Sequence, residues 1–126
     1  MDTFLQLLQA RLEGVATVTF NKILTADFHN DDWIKMYIFW ELSLIKNLGF
    51  EINYQSSTNK KGNRIEINNK FIKIPNLILD QKNKNFSKVE IREALIFNRS
   101  LLMENFIVPN RLRFPTSRNI LEKYYN

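Results

Sequence analysis

The chain has no cysteine, one histidine, three glycines and three prolines among its 126 residues. Without thiols it forms no disulfides, thiolate zinc sites, iron–sulfur clusters or cysteine nucleophiles. A single imidazole, His29, excludes metal sites built from several histidines. No glycine-rich phosphate loop is present, because Gly14, Gly49 and Gly62 stand far apart. No apolar run approaches the roughly 20 residues a membrane span needs, and the start Met-Asp-Thr-Phe lacks the basic region of a signal peptide. These absences predict a cytoplasmic protein with no membrane partner and no cofactor. Catalytic sets are missing too: Asp31-Asp32 reads as a complement to a helix dipole, and no sequence signature gives His29 the orienting carboxylate and nucleophile a catalytic histidine wants. The expectation is a protein that is not an enzyme.

What is present suits a soluble globular chain, 44% apolar and 25% charged. The length allows one domain over 1–126, or one domain cut from a longer protein, and suffices for a core without staples. Charge is unevenly placed. Residues 1–57 carry four basic and seven acidic groups, whereas residues 58–126 carry fourteen basic and six acidic groups. A net −3 in the first part and +8 in the second attracts polyanions to one half, although many basic domains are merely soluble.

Hydrophobic periodicity predicts helices joined by a small hairpin. Phe4, Leu5, Leu8 and Leu12 mark a first helix over 3–12, with Gly14 as its stop. Residues 15–28 stay ambiguous, since Val15, Val18, Thr19 and Phe20 lean toward strand while Ile23-Leu24 could extend a helix. A second helix, capped by Asn30 or Asp31, runs to Leu48 and stops at Gly49. Ile34, Tyr37, Ile38, Glu41, Leu44, Ile45 and Leu48 share one of its faces, and Trp33, Phe39 and Trp40 widen the apolar surface. The two tryptophans are expected in the core rather than stacked on bases. Ile65–Ile67 and Phe71–Ile74 alternate around Asn68-Asn69 as a hairpin ended by Pro75, between polar loops at 55–63 and 80–86. Ser87-Lys88-Val89-Glu90 is a capping box that opens a third helix to about Phe106, stopped by Pro109. A basic connector with Arg111 and Arg113 leads to a last helix that Pro115 begins.

Glu41 breaks the pattern. A carboxylate on an apolar face must be paired, because leaving it unpaired costs several kcal/mol. A guanidinium satisfies both oxygens best, which favours Arg118 as partner, then Arg99.

The run Phe39-Trp40-Glu41-Leu42-Ser43-Leu44-Ile45-Lys46-Asn47-Leu48-Gly49-Phe50 resembles the hallmark helix of the RecO family of recombination-repair proteins. Ile74-Pro75-Asn76-Leu77, Ala94-Leu95, Leu101-Leu102, Pro109 and Phe114-Pro115-Thr116-Ser117-Arg118 follow in that family's order, so the likeness extends from about Trp33 onward. It reaches only the family's helical C-terminal domain, not its oligonucleotide-binding barrel. Glu41, Leu42, Leu48, Gly49, Pro115 and Arg118 are the motif residues. A four-cysteine zinc site found in many members cannot exist here, and Asn98-Arg99 replaces a common Thr-Gly, which puts close helix approach there in doubt. The resemblance implies a mainly α domain with one small β-hairpin that acts as a non-enzymatic mediator of DNA repair. It would bind single- and double-stranded DNA through a basic surface, with Arg99, Arg111, Arg113, Arg118, Lys123, Lys60 and Lys61 as candidates and Lys82 or Lys84 as the fallback. It would dock the acidic-aromatic tail of single-stranded-DNA-binding protein in an apolar, basic-rimmed pocket, and work with RecR to load RecA and anneal strands. A helical docking module without nucleic-acid contact is the alternative.

Overall fold

The first helix does not stop at Gly14. In a computed structural model, which describes residues 3–25, 30–48, 64–67, 70–80 and 86–126, α1 spans Thr3–Thr25. Leu12, Ala16, Thr19 and Ile23 form one buried stripe at helical spacing, and burying them outweighs the roughly 1 kcal/mol that a mid-helix glycine costs. Thr19, which leans toward strand, is buried inside the helix, and two other threonines bond back to it. Thr17 Oγ1 donates to the Glu13 carbonyl at 2.9 Å, and Thr25 Oγ1 to the Asn21 carbonyl at 2.8 Å. Phe4, expected on the inner stripe, is 61% exposed.

Helix α2, Asn30–Asn47, lies along α1. Its predicted inner face is the observed one: Ile34, Tyr37, Ile38, Glu41, Leu44 and Ile45 are buried, and Leu42 and Leu48 half-buried. Its capping side chains and the Gly49 stop lie outside what the structure describes, as do His29 and the 55–63 loop. Strands β1 (Arg64–Ile67) and β2 (Lys70–Lys73) pair antiparallel, with Ile65 opposite Ile72 and Glu66 opposite Phe71. Each begins one residue earlier than the alternation suggests. Ile74 leaves the ladder to be buried beside Pro75, whose ring cannot donate to a sheet, and a short helix α3 (Asn76–Leu79) follows.

Helix α4 spans Lys88–Leu102 and starts with the predicted capping box. Ser87 Oγ accepts from the Glu90 amide at 3.1 Å, while the Ser87 amide donates to Glu90 Oε1 at 3.2 Å. The helix then widens into a π-helical turn, Met103–Ile107, rather than staying regular to Phe106. Pro109 has no N–H to give to the preceding turn. The Asn105 and Asn110 side-chain amides donate instead to the Leu101 and Phe106 carbonyls, at 3.0 and 2.8 Å. Arg111, at φ 55°, sits in the left-handed position of a Schellman closure. Its amide donates to the Val108 carbonyl and the Leu112 amide to that of Ile107.

The last helix, α5 (Thr116–Tyr124), begins just after the extended, buried Pro115. Its axis packs mainly along α1 rather than on the broad face of α2. Ser117 Oγ bonds the Glu13 carbonyl at 2.9 Å, and the Gln9 side-chain amide donates to the Arg113 carbonyl. Asn98 removes the doubt about helix approach. It is fully buried, and its Nδ2 donates to the Ile38 carbonyl at 3.1 Å, so a side-chain bond bridges α4 and α2.

Candidate functional site

Glu41 and Arg118, 77 positions apart, meet where α2, α4 and α5 converge, and neither is accessible to solvent. Arg118 Nε donates to Glu41 Oε2 at 2.7 Å and Nη2 to Oε1 at 3.0 Å, the two-pronged geometry a guanidinium permits. Nη2 also bonds the Leu95 carbonyl at 2.8 Å, and Nη1 reaches Glu122 Oε1 at 3.3 Å. Glu122 Oε2 in turn holds Arg99 Nη1 at 2.9 Å, so Arg99 completes the network from the surface instead of touching Glu41. Tyr37 donates its hydroxyl to Glu41 Oε2 at 2.6 Å. The Tyr37 and Phe114 rings flank the guanidinium at 5.9 and 5.5 Å.

Burial alone would lower the Arg118 pKa, but the charge and hydrogen bonds of Glu41, helped by Tyr37 and Glu122, hold it above the ordinary value. Burial and the Glu41 carboxylate push the Tyr37 hydroxyl well above the usual tyrosine range, so it stays protonated as a donor. Both Glu41 oxygens are engaged and shut away from solvent. This arrangement pins helices and offers a ligand nothing. Arg118 is therefore corrected as a candidate for DNA contact, since a fully buried guanidinium committed to a carboxylate cannot reach a phosphate. Glu122 was hidden by looking like a local counter-charge; its spacing of four from Arg118 on one helix was the available signal.

The accessible feature is a groove between α1 and α2. Arg11, Gly14, Val15, Val18 and Thr19 line one side and Trp33, Met36, Tyr37 and Trp40 the other, around a cavity of about 570 Å³. Met36 is 64% exposed and Trp33 36%, so Trp33 walls an opening instead of filling the core, whereas the half-buried Trp40 packs against the core and also borders the groove. The Trp40 ring lies 5.6 Å from that of Tyr37. Lys22 Nζ stands 5.6 Å from the Trp33 ring centroid, and Arg11 supplies a second cation at the groove. Among the described residues, its lining holds no further charged group.

Of the remaining basic candidates, Arg111 and Arg113 are exposed on the connector and Lys123 on the last turn of α5. Lys60, Lys61, Lys82 and Lys84 lie outside the described residues. Among the described residues no cluster of acidic, histidine or cysteine side chains could hold a metal ion. None of their helices is long and apolar enough to cross a membrane. No protein-family model, curated protein or solved structure matches this chain.

Proposed function

We propose that this chain is a non-enzymatic mediator domain of DNA repair and recombination, cytoplasmic and similar to the helical C-terminal domain of the RecO family. It docks the acidic-aromatic tail of single-stranded-DNA-binding protein in the α1–α2 groove and touches single- and double-stranded DNA through Arg111, Arg113 and Lys123. RecR and RecA loading follow from the same reading. The observation that carries it is the groove itself, an apolar trough walled by aromatics with Arg11 and Lys22 as its cations. An aromatic side chain gains by burial against Trp33, Met36 and Trp40, and a terminal carboxylate beside it is met by the two positive groups.

The direct test is calorimetric titration with an acidic peptide ending in phenylalanine and a free carboxylate. Saturable binding that Met36→Asp abolishes supports docking; no binding refutes it. Anisotropy of a labelled oligonucleotide across a salt series tests the DNA arm, because affinity should fall steeply as neutralised phosphates release counterions. The second reading, docking without nucleic-acid contact, is favoured by one observation: Arg118 and Arg99 are both spent on internal carboxylates. Peptide binding with no oligonucleotide binding at low salt would select it.

A further inference from the structure

The groove and the buried ion network share one residue. Tyr37, although buried, borders the groove, and its hydroxyl is held by Glu41. Glu41 Oε2 receives two strong donors, the Tyr37 hydroxyl at 2.6 Å and Arg118 Nε at 2.7 Å, so tightening one bond weakens the other's claim on the same oxygen. Arg118 is in turn divided between Glu41 on α2 and Glu122 on its own helix, and Glu122 between Arg118 and the half-exposed Arg99. A series of polar contacts of 2.6 to 3.3 Å thus runs from the groove through α2 to the C-terminal helix and out to the surface of α4.

We infer that Tyr37 is a positioning residue that couples the groove to α5, so that displacement of its ring by a docked ligand is felt at Arg118 and Glu122, and a change at Glu122 resets the groove floor. The reciprocity is required of any such coupling. The role serves the docking reading, but the inference stands on the ligand-free geometry and can be tested without a ligand.

The chain's two tryptophans, Trp33 and Trp40, both border the groove, and Trp40 lies beside Tyr37. The full chain labelled with 5-fluorotryptophan therefore reports on the floor through two resonances, assigned by Trp33→Phe. Glu122→Gln should shift the Trp40 resonance by more than its linewidth and leave Trp33 in place. In a Tyr37→Phe background, which keeps the ring and deletes the link, the same change should leave Trp40 unmoved. If Trp40 ignores Glu122→Gln, or shifts equally in both backgrounds, the coupling is refuted. Should Glu122→Gln fail to fold, Arg99→Gln perturbs the exposed end of the same series and is judged by the same criteria. Titration with the acidic peptide separates the two proposals: a coupled floor that binds no peptide ends the docking reading alone, and an uncoupled floor that binds it ends this inference alone.

Discussion

Replacing Glu41 by leucine leaves a guanidinium with no solvent access and without its principal partner. Arg118 loses bonds of 2.7 and 3.0 Å and keeps the Leu95 carbonyl and a 3.3 Å contact to Glu122. Breaking a buried pair from one side costs about 3–5 kcal/mol. The Tyr37 hydroxyl loses its acceptor as well, worth about 1–3 kcal/mol, while the retained Glu122 offsets part of the sum. A net loss of about 4 kcal/mol is a large share of the roughly 5–15 kcal/mol that holds a domain together. Urea unfolding followed by far-UV circular dichroism should show Glu41→Leu barely folded in water. Arg118→Met should be less damaging, because Glu41 keeps the Tyr37 hydroxyl as a donor. The double variant should recover the share due to the unpaired guanidinium but not that of the Tyr37 hydroxyl, which still lacks its acceptor, since an apolar pair of similar volume needs no partner and Glu122 retains Arg99. A Glu41→Leu protein within about 1 kcal/mol of the parent, or a double variant as unstable as the sum of its parts, would refute the assignment.

Four further outcomes follow from the same geometry. The folded-state pKa of Tyr37 is raised, so its contribution is complete below the ordinary tyrosine value of about 10 and is lost as pH climbs toward the folded value; Tyr37→Phe should make alkaline urea titrations less steep. Gly14→Ala should stabilise the chain by about 1 kcal/mol in the same assay, because it lies inside α1 and a Cβ there meets nothing within 4 Å. Arg111→Gly should stabilise it by about 1 kcal/mol and Arg111→Ala should not, since only glycine relieves the left-handed backbone. Replacing Arg111 and Arg113 together by alanine should weaken oligonucleotide binding across all sequences and flatten its salt dependence in anisotropy titrations, and unchanged affinity would move the contact to the lysines at 60, 61, 82 and 84.

The inner face of α2 was legible because seven positions at spacings of three and four carry apolar side chains and one carboxylate. That carboxylate also announced its own partner. Burial demands a counter-charge, and Arg118 stands in the final helix, which has a core to cover. The length of α1 was not legible. Gly14 followed by Val15, Val18 and Thr19 has the local chemistry of a stop and a strand, and only packing of Ala16, Thr19 and Ile23 against neighbouring helices overrides it. The groove escaped notice for a related reason. Trp33, Phe39 and Trp40 widen the apolar surface of α2, but whether a neighbour covers it depends on how α1 and α2 lie together.

Apart from Trp40, which lies in the resembling run and also borders the groove, the residues that carry the resemblance are not those that carry the proposed docking. Glu41, Arg118 and Pro115 are buried and Leu42 and Leu48 half-buried; they lock α2 and α5 into one body. Any chain that kept these letters would keep that junction, whatever its surface did. Docking chemistry sits instead on Arg11, Trp33 and Met36, outside or at the margin of the motifs, where substitution leaves the junction intact. Loss of activity in a Glu41 variant would thus report unfolding, whereas loss in Met36→Asp with unchanged urea unfolding would report the groove. Met36 is 64% exposed, so a change there should move stability by no more than about 0.5 kcal/mol. A protein that binds peptide as well with aspartate at position 36 as with methionine would place docking elsewhere on the molecule, even with every motif residue in its pair.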